Sequence, residues 1–484
     1  MAGVERTHAA RTCRAVGHLP LGIEAAASAV RVDGIPLALL AERTALRLLA
    51  SQRELRSGLV RSLEAVGAEA QHRFALLPLL GSGAFDLAAA ASLGVPADQC
   101  LLPLTLDKRD SEDTSVESPA AHLATTAADL GQLVRHSLLD LTPEPPAPPP
   151  TAAGYDDRGL GPRYALHPLL HAWAWERSQR LDPEVMAAAR GYLQAYALTF
   201  LERHTGASDR IVRERGVLLV ALAHARRTCQ HAVVLRLAAG LIGVEGRLGS
   251  YEQAVQVLCW GLRASRHEHD PYTAARLLNR LGRLLLYHGD VERARRVWDE
   301  SLRNAEALRH PVFLWHPLGN LALLAGLYGE YEAAQTFANA YHDHASSGDD
   351  GDMVAVTLSR RGMCARMRGA GEAAYDDLSG SLRLLERSSP AFSRRHAVEA
   401  EVRLELARLH ASYPETQRQV EEAEAYTQDN YGLADMLSEQ ASFAYELGAI
   451  QDARALVRRA ATVARKSEAH FLYARSANLL RKLN

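Results

Sequence analysis

The sequence predicts a mainly α-helical protein in which a small helical bundle and a domain with a β-hairpin precede an α-solenoid of helical hairpins. Three observations predict this class. Glycines recur every 40 residues in the C-terminal half, and an alanine follows each of them five residues later. Apolar residues at helical spacing fill the segments on both sides of these glycines. Two short strand patterns occur in the N-terminal half, on either side of a proline-rich segment.

Composition and charge set broad limits on the function. The chain has 484 residues, of which 48% are hydrophobic and 23% are charged, as is typical of a globular protein with several domains. Its 55 basic and 57 acidic residues give a net charge of -2, so the overall charge does not favour nucleic acid as a partner. The five cysteines form no CxxC motif, and no apolar run reaches the ~18–20 residues of a membrane helix. We therefore expect a cytoplasmic protein without a membrane anchor.

The N-terminal half is predicted to contain helices on both sides of a hairpin. Residues 21–30 and 36–51 have the pattern of two helices, and apolar helical sequence continues to about residue 80. Strands are predicted at 136–141 and 163–168, and the helix 169–181 follows the second strand. Helices followed by a hairpin and a closing helix suggest a winged helix. The prolines between the strands predict a polyproline-like wing loop.

Four domains follow from these patterns. The predicted ranges are 1–55 for the helical bundle, 56–185 for the winged-helix-like domain with its proline-rich wing loop at 142–162, 186–234 for linker helices, and 235–484 for the solenoid.

The repeated unit of the C-terminal half is predicted to be a helical hairpin. Gly249, Gly289, Gly329 and Gly369 stand 40 residues apart, and a further copy begins at Gly448. Each glycine is predicted to end one helix in a left-handed cap. Each alanine five residues later is predicted to lie where two helices cross too closely for a larger side chain. Because one hairpin cannot bury its apolar face alone, the hairpins should stack into a solenoid.

The packing positions of these hairpins resemble those of tetratricopeptide repeats, in a 40-residue variant. Leu281-Gly282, Trp298, Ala322 and Gly362 match the family's packing positions. The resemblance covers about 235–470. It implies a concave groove, lined by the first helix of each hairpin, that binds a peptide or a protein segment.

Four side chains would face that groove by the register of the repeats. They are Arg280, Arg283, Asn320 and Arg360. Guanidinium groups at such positions suit carboxylates or acidic peptides. The alternative is that the arginines lie on a solvated face of an arginine-rich protein.

A second resemblance concerns the domain order and two short motifs. Gly17-His18-Leu19-Pro20-Leu21 is similar to the GLPL motif of STAND regulators of the NB-ARC type. Tyr164-Ala165-Leu166-His167-Pro168 is similar to the motif of that family whose histidine senses the bound nucleotide. The resemblance implies that Pro20 packs near adenine and that His167 reaches the diphosphate. The alternative is that Pro20 begins a helix and that His167 caps the corner between a strand and a helix.

The sequence departs from that family in the ATPase core. It has no GxxxxGK[ST] loop, no strand ending in paired acidic residues, and only 16 residues before the GLPL-like motif. We therefore expect no ATP hydrolysis by this chain alone, and we predict no catalytic residue and no cofactor. ADP or ATP would bind only if a separate P-loop subunit supplied the missing part in trans. The chain would be either a fragment or a standalone degenerate regulator.

The predicted function is protein interaction and signal sensing. A protein or peptide would bind in the groove, and the winged helix with its neighbouring bundle would transmit or restrain the signal. One alternative is a DNA-binding transcription regulator that uses the winged helix directly. It ranks lower, because Arg177 and Arg180 share the closing helix with Glu176 and two tryptophans. Another is a subunit that completes a nucleotide site with a separate ATPase.

Two clusters have metal-binding residue types without metal-binding spacing. His167 and His171 are four residues apart, but no glutamate lies between them as in HExxH. The stretch 341–353, which is rich in histidine and aspartate, lacks the ligand spacing of an EF-hand. No metal site is predicted.

Overall fold

The structure is a computed structural model. It describes residues 53–94, 119–142, 162–205, 208–244, 251–288, 290–308, 311–346, 350–388, 395–410, 430–466, 473, 476–477 and 479–481. The chain divides into two compact units, Met1–Val233 and Val234–Asn484. The helices predicted at 21–30 and 36–51 lie outside the described residues. The four domain ranges given above stay a prediction.

The first unit consists of helices and one short sheet. Its elements are α1 (Arg53–Glu64), α2 (Ala68–Leu76), a 3₁₀ helix (Leu77–Leu80), α3 (Leu87–Ser92), α4 (Pro119–Arg135), β1 (Asp140–Thr142), β2 (Arg163–Ala165), α5 (Pro168–Ser178), α6 (Pro183–Arg203), α7 (Ser208–Arg213) and α8 (Arg215–Arg227).

The sheet pairs β1 and β2 antiparallel, with Leu141 opposite Tyr164. Tyr164 also forms an antiparallel bridge with Phe85, and their backbone N–H and C=O groups are bonded in both directions at 2.9 Å. Each strand has three residues and is shorter than predicted. The first begins late because Ser137 has a φ of +57° in the preceding turn. The second ends early because Pro168 begins α5, a position that suits proline.

In the core of the first unit, α2 packs against α4 and α5. The rings of Phe74 and Trp173 lie 5.4 Å apart, and Arg73 forms an ion pair of 3.1 Å with Asp129. The apolar helix predicted to continue to residue 80 is divided into three helical segments. One division falls at Gly67, whose backbone N–H donates to Gln132 at 2.9 Å.

The second unit is a stack of helices. Its elements are α9 (His231–Gly240), α10 (Tyr251–His267), α11 (Pro271–His288), α12 (Val291–Leu308), α13 (Pro311–Leu327), α14 (Tyr331–Ser346), α15 (Gly351–Met367), α16 (Gly371–Arg387), α17 (Arg395–His410), α18 (Asn430–Glu446) and α19 (Ile450–Lys466). No helix in the described ranges has both the length and the apolarity needed to cross a lipid bilayer.

The predicted repeat of helical hairpins is confirmed. The pairs α11/α12, α13/α14, α15/α16 and α18/α19 pack as hairpins. Gly329, Gly369 and Gly448 adopt φ values of +78°, +86° and +76° at the turns, so they form the left-handed caps that the sequence predicts. Gly249 and Gly289 lie outside the described residues. The repeat alanines are all buried, and they are Ala254, Ala294, Ala334, Ala374 and Ala453.

Small residues let the two helices of a hairpin approach closely. Gly282 in α11 faces the indole of Trp298 in α12, and a Cβ atom at Gly282 would overlap that ring. Trp298 is fully buried, and its Nε1–H donates to the carbonyl of Asn279 at 3.2 Å. Gly362 in α15 has the same role against Leu378, whose Cγ would lie 2.8 Å from an added Cβ.

Candidate functional site

The first helices of successive hairpins contact one another directly. Contacts join α11 to α13, α13 to α15, and α15 to α17, and α18 packs beside α17. The first helices therefore form one continuous surface, and we call the surface of α11, α13, α15, α17 and α18 the inner face. This is the side of the stack on which the sequence places the groove.

Polar side chains link neighbouring helices along the inner face. The side-chain amide of Asn320 in α13 donates to Oδ1 of Asn279 in α11. Arg360 in α15 forms an ion pair of 3.1 Å with Glu401 in α17. Between these two links, the Cys364 thiol lies 3.9 Å from the carbonyl oxygen of Ala322. The inner face is thus held by contacts between residues that are 41 or 42 positions apart in sequence.

Charged groups are denser where α17 meets its neighbours. Glu405 is buried and accepts from Arg366 at 2.7 Å and from Arg408 at 2.6 Å. Arg408 also lies 3.4 Å from a carboxylate oxygen of Glu439 in α18. Burial lowers the pKa of Arg408, but Glu405 and Glu439 outweigh it, so the pKa lies above its ordinary value. These arginines are fixed by carboxylates of the chain itself.

The two helices at the ends of the inner face have net charges of opposite sign. Helix α11 contains three arginines and no acidic residue. Helix α18 contains three acidic residues and no lysine or arginine. Arg280 and Arg283 are half-buried in α11, and the exposed Arg276 lies over the ring of Tyr272, 5.7 Å from its centroid. The near-zero net charge of the chain therefore conceals an excess of positive charge in α11 and of negative charge in α18.

The structure places the four predicted groove residues on three helices of the inner face. Arg280 and Arg283 belong to α11, Asn320 to α13, and Arg360 to α15. Arg360 is mostly buried and is engaged by Glu401. Burial lowers its pKa, but Glu401, with smaller contributions from Cys364, Tyr341 and Glu405, more than offsets this, so the pKa is raised. Asn320 is engaged by Asn279, and α11 is the helix of the inner face with the largest excess of arginine over acidic residues.

His167 lies at the start of α5. This position agrees with the alternative in which His167 caps the corner between a strand and a helix. Its Nδ1 accepts from the backbone N–H of Leu169 at 3.2 Å, so the imidazole caps the helix. Pro20 lies outside the described residues. The structure therefore gives His167 a local role at the corner between β2 and α5.

A buried ionic cluster in the first unit has no counterpart in the sequence predictions. Arg163 in β2 forms an ion pair of 2.9 Å with Glu214, and both side chains are buried. Arg163 also donates to the carbonyl of Ala84. Tyr196 in α6 donates to Asp86 at 3.3 Å. Glu214 stands between Arg213 and Arg215 in the sequence, so no local pattern indicated that it is buried.

The charge balance of this cluster favours a protonated carboxyl group. Burial, and then the negative charge of Asp86, raise the pKa of Glu214 to about 8, although Arg163 acts in the opposite direction. Burial also raises the pKa of Tyr196 well above its ordinary value.

That the chain has no metal site stays a prediction from the sequence. Within the described ranges, no group of three histidine, cysteine or acidic residues has the geometry of a metal site. In the stretch 341–353, the His342 ring bonds to Thr357 at 3.1 Å and Asp350 caps α15. Both side chains therefore make local contacts within the stack.

No protein-family model matches the sequence, and no curated protein matches it. Similar solved structures include aspartyl phosphate phosphatase F from Bacillus subtilis, with 11% identity and a TM-score of 0.46 over 71% of this chain and 89% of that one. The apo quorum sensor NprR from B. thuringiensis has 13% identity and a TM-score of 0.38, over 60% and 93%. A STAND protein with a tetratricopeptide repeat sensor from Pyrococcus horikoshii has 13% identity and a TM-score of 0.36, over 95% and 72%. A likeness at this level identifies no function.

Proposed function

We propose that the second unit binds an extended protein or peptide segment along the inner face and that the protein acts by interaction rather than by catalysis. The observation that carries the proposal is the opposite net charge of α11 and α18, the two end helices of the inner face. Like charges grouped at one end of a surface repel one another, and a bound segment of opposite charge relieves that repulsion. Helices that only pack against one another need no such grouping of like charges.

The acidic part of the bound segment would lie over α11. Arg276, Arg280 and Arg283 follow one another at helical spacing, so they share one side of that helix. Guanidinium groups bind carboxylates through paired N–H donors, which gives direction as well as affinity. Arg360 contributes differently in this proposal, because its contact with Glu401 orders the wall of the groove.

The test uses three labelled peptide pools of equal length and hydropathy, one acidic, one neutral and one basic, with binding followed by fluorescence anisotropy. We expect the acidic pool to bind best and to lose affinity as salt rises, because exposed charges are screened. The double substitution R280A/R283A should weaken that binding about tenfold or more, since each charged hydrogen bond contributes ~1.5 kcal/mol or more.

Arg303→Ala is the matched control for that experiment. Arg303 is exposed on the second helix α12, outside the inner face, so its removal changes the charge without touching the groove. Its affinity for the acidic pool should equal that of the unaltered protein. Equal binding of all three pools, or equal loss in R303A and R280A/R283A, would contradict the proposal.

We further propose that the first unit contains a winged helix that transmits or restrains the signal. The order of α2, the Phe85 bridge, α3, α4 and the β1–β2 hairpin supports this assignment. Helix α4, which precedes the hairpin, contains one arginine, Arg135, and its acidic residue Asp129 is paired with Arg73. A helix with so little positive charge favours a protein partner over DNA.

We infer from the motifs alone that this unit descends from STAND regulators. The roles of Pro20 and His167 in nucleotide sensing, and a separate ATPase subunit, remain predictions from that resemblance. A purified P-loop subunit that restores nucleotide binding on mixing with this chain would support them. A His167→Ala variant that binds nucleotide equally well in that mixture would exclude the role of His167.

A further inference from the structure

Helices α6 and α8 bring a histidine and two arginines together on the surface of the first unit. The side-chain amide of Gln194 in α6 contacts Nδ1 of His224 in α8 at 2.9 Å, which fixes how the two helices meet. Arg190 precedes Gln194 by one turn, and Arg227 follows His224 by nearly one turn. Residues three or four apart share a helix face, so both arginines lie on the faces that meet at His224.

Neither arginine is neutralised within the described part of the chain. No hydrogen bond or ion pair joins Arg190 or Arg227 to another described residue. Burial, and then the positive charges of Arg190 and Arg227, lower the pKa of His224. Arg227 is exposed, and Arg190 and His224 are half-buried, so the cluster is in contact with solvent.

The side chains of Arg190, His224 and Arg227 all present hydrogen-bond donors. The amide nitrogen of Gln194 can only donate, so His224 Nδ1 is the acceptor of that bond and the ring proton of the neutral imidazole resides on Nε2. Guanidinium groups have donors and no acceptor. The cluster therefore offers two positive charges and N–H groups from two helices, with no acceptor of its own to compete for a ligand.

We propose that Arg190, His224 and Arg227 form a binding site for a phosphate group. A carboxylate carries one negative charge and is satisfied by one bidentate arginine. A phosphate carries a charge of about -1.5 to -2 near neutral pH and has three oxygens, so it matches two guanidinium groups and an imidazole N–H together. This site belongs to the first unit, and the proposal does not depend on the function proposed for the inner face of the second unit.

The test is calorimetric titration of the full chain with inorganic phosphate, pyrophosphate, O-phosphoserine and acetate. We expect saturable binding of the phosphate compounds at one site, and much weaker binding of acetate. Arg190→Ala and Arg227→Ala should each weaken binding about tenfold, which is what the loss of one charge-assisted hydrogen bond predicts. The exposed Arg203 at the other end of α6 is the matched control, and Arg203→Ala should leave binding unchanged.

The three phosphate compounds distinguish the source of the group. Tighter binding of pyrophosphate would indicate a small polyphosphate, and tighter binding of O-phosphoserine would indicate a phosphorylated protein segment. The proposal is overturned if no phosphate compound binds, if acetate binds equally well, or if both arginine variants bind like the unaltered protein.

A second measurement needs no variant. The His224 imidazole can be followed by nuclear magnetic resonance as pH is changed, with and without pyrophosphate. A bound anion stabilises the protonated ring, so pyrophosphate should shift the titration of His224 to higher pH. An unchanged titration at saturating pyrophosphate would place the anion elsewhere.

Discussion

Glu214 shows how one residue can make the stability of the first unit depend on pH. It precedes α8, but its side chain makes no cap hydrogen bond to that helix. Its carboxyl group instead enters the core beside Arg163 and close enough to feel the charge of Asp86. One oxygen, Oε1, has no hydrogen-bond partner among the described residues. In such a place, burying a protonated carboxyl group costs less free energy than burying a second negative charge.

Stability should therefore fall as pH rises across the range in which Glu214 titrates. The pKa of this group is raised from 4.5 to about 8, so between these values the folded chain holds a proton that the unfolded chain releases. Its stabilising contribution is complete below the lower value and is lost as pH rises through the upper one. Denaturant unfolding from pH 5 to 9 should show this decline in the first unit.

Glu214→Gln is the variant that isolates the effect, because glutamine resembles the protonated carboxyl group. We expect the variant to match the unaltered protein near pH 5 and to become the more stable of the two towards pH 9. Parallel stability curves for the two proteins would show that the declining stability has another origin.

At the scale of the element, Gly282 sets the distance between α11 and α12. The indole of Trp298 fills the space where a Cβ would stand, and the ring is held by its bond to the Asn279 carbonyl. Gly282→Ala should therefore destabilise the second unit by about 1–3 kcal/mol, the usual cost of overpacking a core. Denaturant unfolding followed by helical circular dichroism measures the change.

Gly380→Ala is the matched control in a hairpin of the same stack. Gly380 lies inside α16, and an added Cβ would meet Leu358 at an ordinary contact distance of 3.5 Å. Alanine is the better helix former by up to ~1 kcal/mol, so this variant should be neutral or more stable. Equal destabilisation by the two substitutions would refute the role given to the close approach at Gly282.

The hairpins could be predicted because each one is encoded locally. A glycine, an alanine five residues later and apolar residues at helical spacing identify the turn and both helices, as Gly329 and Ala334 illustrate. One position of the second helix departs from the pattern. Ser301 and Ser381 occupy it in two of the hairpins, and each donates to a carbonyl of the first helix of its hairpin. In the hairpin between them the equivalent residue is Tyr341, and Gly319 leaves room for its ring.

The contacts between hairpins could not be predicted in the same way. The register identified Arg360 as a groove residue, but its pairing with Glu401 depends on how far one hairpin is rotated against the next. The strands were predicted too long because β-propensity does not reveal that Ser137 turns the chain. The cluster of Arg163 and Glu214 joins residues 51 positions apart, which no local pattern can show.

At the scale of the whole molecule, the net charge of -2 conceals an ordered distribution. The positive end of the inner face lies at α11, and the negative end lies at α18, more than 100 residues later in the chain. Between them the arginines of α15 and α17 are paired with carboxylates, as Arg366 and Arg408 are with Glu405. The two ends of the inner face thus differ in the sign of their charge, and this makes the orientation of a bound segment predictable.

A peptide with glutamates at one end and arginines at the other should bind in one orientation along the inner face. Its acidic end should lie at α11 and its basic end at α18, because this arrangement brings opposite charges together at both ends. A photo-crosslinking residue at the acidic end, followed by mass spectrometry, should mark peptides from 271–288. A second peptide with the same residues in reverse order is the control. If charge sets the orientation, the crosslinks of both peptides follow the acidic end, whereas crosslinks that follow the N-terminus would show that the backbone direction of the ligand decides instead.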